Sequence, residues 1–297
     1  MGPQVQTEPS IGRSSSTVLG AVPAWQLAIL ASLSVWLYVS TLFHLVVQWW
    51  HDPNFSHGFF VPLFSIYLLW EERDHLGHLT SRPSWSGLAL LFLALCFLII
   101  GQMGAELFLA RFSLLVLLAA IVVLFHGWTV FRAVLFPWAF LLLMIPIPTI
   151  VLNQITFPLQ LQASKVAAFT LPLLGVPILR EGNVINLPSM ALEVAEACSG
   201  IRSLMSLVTL AIIYGYLMEK RIWMRWVLAI ASIPIAIAAN SFRIVGTGLL
   251  VQYWDPDKAQ GFFHEFQGWL IFVVSLFMLY AVHGLLRMLW PEKGSAS

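Results

Sequence analysis

ALEVAEACSGIRSL, residues 191–204, sets Glu193, Glu196, Cys198, Ser199 and Arg202 directly ahead of a long apolar run. Further on, IAIAANSFRIVGTGLL carries Asn240 and Arg243, and GFFHEFQGW carries His264. Together these types suffice for covalent acyl transfer. A thiolate attacks a carbonyl carbon, and an imidazole takes and returns the proton near neutral pH. A guanidinium can hold the negative oxygen of a tetrahedral intermediate in place of backbone donors. Cys198 is expected in the first turn of a helix, whose positive end favours the thiolate, with Arg202 four residues on and on the same face. Read blandly, Cys198 is a small buried hydrophobe, but the SGIRS context and the two flanking glutamates weigh against that.

The elements that must position these residues are membrane helices. Of 297 residues, 59% are hydrophobic and 10% charged, against about 25% charged in soluble domains. A net charge of +1 points to neither nucleic acid nor a strongly acidic partner. Two cysteines, Cys96 and Cys198, make no disulfide framework. The expected fold is an all-α polytopic membrane protein of about eight spans, near 25–48, 57–70, 86–101, 107–125, 132–147, 199–218, 223–252 and 265–290. Residues 1–24 and 291–297 read as cytoplasmic tails, the first disordered, flanking a single domain over 25–290.

Orientation follows the basic residues. Arg73, Arg82, Arg132, Lys220, Arg221, Arg225, Arg287 and Lys293 fall at one set of ends, and Lys258 alone in the alternate loops. Both termini are therefore expected in the cytoplasm, and the start of the helix after Cys198 on the outer side. Residues 148–198 lie between two outward ends and form an extracytoplasmic insert. ITFPLQLQASKVAAFTLPLLGV, with Gln160, Gln162 and two prolines, reads as an interfacial or re-entrant helix. PILREGNVINLPSMALEVAEA reads as a small β-hairpin or three-stranded cap.

Asn240 and Arg243, three apart, share a face about 13 Å inside the outer boundary. An arginine near the middle of a span costs roughly 2.5–3.5 kcal/mol, so it faces the bundle interior or a wet cavity. Its alternative role is structural, bonded to carbonyls or a carboxylate. HDPNFSHG adds His51, Asp52 and His57 on the outer face. No zinc-type spacing completes them, so His57 is assigned to loop structure or substrate contact and no metal or other cofactor is expected. Arg180, Glu181, Glu193 and Glu196 read as solvated loop charges or as contacts to a substrate segment. Trp49, Trp50, Trp70, Trp254 and Trp290 fall near span ends, as interfacial anchors do.

In EACSGIRSL, then NSFRI, then the histidine of FFHEFQGW, the chain resembles the exosortase/archaeosortase family of membrane cysteine transpeptidases. NFSHGFFVPLFSIYLLW, MIPIPTIVLNQITFPLQLQAS and GVPILREGNVINLP extend the resemblance over roughly residues 25–290. It implies that Cys198 is the nucleophile, Arg243 the transition-state stabiliser and His264 the acid and base. Arg202, Asn240, Glu193, Glu196, Ser199 and His57 are then supporting or substrate-binding. Histidine at the third position matches bacterial members, since many archaeal ones carry arginine there. The resemblance implies a multi-pass protein of the bacterial inner membrane with its site facing the periplasm. Its partner would be the C-terminal sorting tail of exported proteins: a motif such as Pro-Glu-Pro, a transmembrane helix and a basic cluster. Cleavage would leave a thioacyl enzyme, resolved by an amine, a hydroxyl or water.

Two other classes compete. A transporter or lipid-linked polysaccharide handler would use Arg243 on an anionic head group, but the chain has no visible inverted repeat and no acidic relay in its spans. A noncatalytic export scaffold would need neither the thiol nor the imidazole.

Overall fold

The computed structural model describes residues 24–104, 106–188, 190–193, 200–253 and 262–291. The chain is mostly helical: α1 (Ala24–His51), a 3-10 segment Pro53–Phe59, α2 (Phe60–Glu71), α3 (Arg73–His78), α4 (Ser86–Met103), α5 (Leu107–Ala133), α6 (Leu135–Phe140), a 3-10 turn Leu141–Met144 and α7 (Thr149–Leu173) come first. Strands β1 (Leu179–Glu181), β2 (Val184–Asn186) and β3 (Ala191–Glu193) follow, then α8 (Gly200–Met218), α9 (Ile222–Tyr253) and α10 (Phe262–Leu289).

Among the described residues, five helices are long and apolar enough to cross a membrane: within α1, α4, α5, α9 and α10. A sixth is added if Leu135–Met144 and Thr149–Leu173 count as one broken span. The expected count of eight is not confirmed among the described residues, and three of its candidates differ from the reading. The second candidate is split into the 3-10 segment and α2, whose 12 residues reach only about 18 Å. The fifth is broken near the paired prolines of MIPIP, which resist helix. The sixth, within α8, gives a shorter apolar helix over the described residues Ser203–Met218. α5 runs past its expected end because it absorbs a kink at Gly127, where φ is 83°. Large apolar side chains such as Trp36, Phe43, Phe92 and Phe277 stand exposed on these helices, as lipid-facing residues do. This is a multi-pass membrane protein.

The described residues fall into two compact units. One takes the chain up to Leu45 and Leu63–Leu142. There α4 and α5 form a close hairpin, with Gly87 and Gly101 letting the backbone at Leu124 and Ala110 approach where a side chain would collide. Tyr38 and Ser113 share a buried hydroxyl–hydroxyl bond of 2.9 Å.

The other unit takes Val46–Pro62 and everything from Leu143 onward, including all candidate site residues. Its three strands form an antiparallel meander in the order β1-β2-β3, the cap expected from the hairpin signals. Gly182, at φ 64°, turns β1 into β2. Ile185, Leu187 and Leu192 bury against Ala163, Ala167 and Leu171 of α7 and Ile244, Val245 and Val251 of α9. A second cluster joins Leu204, Leu207 and Ala211 of α8 to Leu228, Ile235 and Ala236 of α9 and Leu279 of α10. The sheet and α7 thus pack on the last third of α9, while α8 and α10 pack on its first half. Trp49 is not an interfacial anchor: it is buried beneath Gly58 and donates to the Met144 carbonyl at 2.9 Å. Trp50, Trp70 and Trp290 are exposed, as anchors should be. Trp254 lies outside the described residues.

Candidate functional site

α9 carries the centre of the site. Its stretch ASIPIAIAAN is rich in small side chains, so neighbouring helices come close around it. Asn240 is buried, 7% exposed, and Arg243 half-buried one turn later. The Thr247 hydroxyl donates to the Arg243 carbonyl at 2.9 Å, within the helix. The Arg243 guanidinium reaches α10 at Gly268, where a Cβ would lie 3.9 Å from Nη1. Gly268 is one turn beyond His264 and on the same face. Glycine there leaves the guanidinium its room.

His264 is the third residue of α10 and Arg202 the third of α8. Cys198, Ser199 and Glu196 lie outside the described residues. Glu193 closes β3, its backbone opposite Val184. His57 is buried in the 3-10 segment that packs on α8, with Nε2 3.2 Å from the Leu143 carbonyl. Burial holds its imidazole below the usual histidine range, against the pull of the Leu143 and Asn54 backbones. Asp52 accepts from the Asn54 backbone N–H at 2.9 Å and caps that segment. Among the described residues no group of three His, Cys, Asp or Glu is placed to hold a metal. Arg180, read as a loop charge, instead donates to Ser164 Oγ at 3.1 Å, pinning β1 to α7.

The structure adds residues that sequence reasoning missed. A cavity of about 20 Å³ opens between α7, α8 and α9. Thr156 and Gln160 of α7 and Asn240 of α9 bring polar groups to it, and Leu159, Leu204 and Ala236 give apolar walls. The Asn240 carbonyl oxygen is buried and takes no hydrogen bond among the described residues. In sequence, Thr156 and Gln160 are i and i+4 in a stretch that also carries Asn153, Gln154 and Gln162, so nothing singled them out.

Comparison with family profiles matches residues 49–281 to the family described as transmembrane exosortase (Exosortase_EpsH). The chain belongs to the transmembrane exosortase family. Comparison with curated proteins and with solved structures found no match. Exosortase membership makes the chain, in general terms, a sorting-related transmembrane protease or transpeptidase of the cysteine type. The match takes in all three blocks, around Cys198, Arg243 and His264.

Proposed function

We propose that this exosortase cleaves the C-terminal sorting tails of exported proteins at the outer face of the bacterial inner membrane, with both of its own termini in the cytoplasm. Cys198 is the nucleophile, His264 the acid and base, and Arg243 the stabiliser of the tetrahedral oxyanion. One observation carries this reading: the Arg243 guanidinium lies against α10 one turn from His264. Cys198 is two residues before the start of α8 at Gly200, and α8 packs on both α9 and α10.

In the reaction, the Cys198 thiol gives its proton to His264 as its sulfur adds to the scissile carbonyl. Arg243 donates to the oxygen as it becomes negative, in a setting where low dielectric strengthens the contact. Collapse expels the amine of the departing tail, which takes the proton from His264 and leaves a thioacyl enzyme. An acceptor amine, hydroxyl or water then gives its proton to His264 as it attacks the thioester, and His264 passes that proton to the departing sulfur. Arg202, Ser199, Glu193, Glu196, Asn240 and His57 support the site or hold the tail.

The test is processing of a reporter whose C-terminus carries a motif, an apolar helix and a basic cluster. Cys198→Ser and His264→Ala variants, inserted at wild-type levels, should accumulate the uncleaved reporter. Normal cleavage by either variant would overturn the assignment. A mass shift on Cys198 equal to the acyl fragment would establish the covalent step.

A further inference from the structure

We infer that the Thr156–Gln160–Asn240 cavity is a specificity subsite for one hydroxyl group, the side chain of a serine or threonine next to the cleaved bond of the tail. The inference rests on the protease reading above and adds to it a substrate preference and two α7 residues.

Size comes first. At about 20 Å³ the cavity has room for a group the size of one water, which suits a small polar group. Its walls of Leu159, Leu204 and Ala236 suit the methyl or methylene that carries such a group.

Hydrogen-bonding capacity decides the chemistry. Asn240 presents a buried carbonyl oxygen that needs a donor. Gln160 already receives Asn183 Nδ2 on its own carbonyl oxygen at 3.5 Å, which leaves its amide N–H groups to donate. The Thr156 hydroxyl donates to the Asn153 carbonyl at 3.5 Å, which leaves its oxygen to accept. A hydroxyl donates to Asn240 and accepts from Gln160 in one position. A carboxylate has no donor for Asn240. An ammonium has nothing to accept with, and no acidic side chain is among the described lining residues to pair it. A methyl group leaves the carbonyl oxygen unsatisfied. In the absence of a tail, one water meets the same demands.

Position supplies the link to catalysis. Asn240 is one turn from Arg243 on the same face of α9, and Leu204 is in the second turn of α8, six residues past Cys198. A side chain flanking a carbonyl held by Arg243 has this cavity within reach. The hairpin tip fixes the α7 side, since Asn183 holds Gln160 and the Gly182 carbonyl accepts from Ser164 at 3.0 Å.

Threonine and valine have nearly the same shape and differ by the hydroxyl, so they form the discriminating pair. Tail reporters carrying Thr or Val at each position flanking the cleaved bond are compared by kcat/KM in the full-length enzyme. At one position wild type should favour Thr by about tenfold or more, because a buried site built for a hydroxyl rejects the analogue that lacks it. Asn240→Leu should bring that ratio to within about twofold. Gln160→Met repeats the test if Asn240→Leu does not insert or fold. Equal rates for Thr and Val at every position in wild type, or a preference that survives Asn240→Leu, would overturn the subsite and leave the protease reading intact. Cleavage that persists in Cys198→Ala would sink the protease reading itself.

Discussion

Arg243 is a half-buried intramembrane cation whose guanidinium reaches the neighbouring helix at Gly268. A planar fork with several N–H donors can follow an oxygen from carbonyl to oxyanion, whereas an ammonium presents a compact point charge. Arg243→Lys should therefore keep insertion and tail binding but lower kcat by about 10²–10³, the effect of losing one well-aimed oxyanion donor. KM should change far less. Initial rates on the tail reporter over a concentration series separate the two, and a loss confined to KM would reassign Arg243 to substrate binding. Arg243 could be picked out from sequence because a charge that deep in a span must have a use. Thr156 and Gln160 could not. A hydroxyl and a carboxamide cost little at a membrane interface, and their meaning appears only once α7 has been folded beside Asn240.

At the scale of elements, the sheet was legible and the helix breaks were not. Short β-branched runs separated by Glu-Gly-Asn and Leu-Pro-Ser carry their own turn chemistry, so β1–β3 could be read locally. Hydropathy, by contrast, averages over a window and passes smoothly across a 3-10 turn or a glycine kink, as at Leu141–Met144 and Gly127. The α9–α10 contact yields a graded prediction. A Cβ at position 268 would meet Arg243 Nη1 at 3.9 Å, an ordinary contact. Gly268→Ala should therefore run within about twofold of wild type. Gly268→Leu brings three more carbons into the volume held by the guanidinium and should cut kcat by tenfold or more, on the order of a misplaced catalytic group. Both proteins should insert and run normally in gel filtration. If Leu is as active as Ala, Arg243 does not work from this position.

Across the whole molecule, the proposed chemistry sits at one end of α8, α9 and α10, and the polar residues at their opposite end hold the three together. In the turn between α8 and α9, Glu219 is buried, 1% exposed. It accepts the backbone N–H groups of Lys220 and Arg221 at 3.0 and 3.2 Å. Arg221 and Arg287 lie 3.5 Å from its oxygens and His283 3.4 Å, while Tyr214 of α8 hydrogen-bonds His283 of α10 at 2.7 Å. Arg225 of α9 donates to the Glu219 carbonyl at 2.7 Å. Burial alone would raise the Glu219 pKa, but the hydrogen bonds from Arg221 and His283 and the charges of Arg221 and Arg287 carry it below the usual carboxylate value. A carboxylate whose folded pKa is depressed adds stability that is complete above its unfolded value, near 4.3, and fades as pH falls through the folded value. Removing the charge also leaves half-buried Arg221 and exposed Arg287 without their carboxylate. Glu219→Gln should thus destabilise the detergent-solubilised protein by about 3 kcal/mol at pH 7. Thermal unfolding from pH 7 down to pH 3 checks the sign. The gap in Tm between wild type and Glu219→Gln should hold above about pH 5 and narrow below pH 4. A gap that stays constant to pH 3 would mean that Glu219 acts through shape and not through charge.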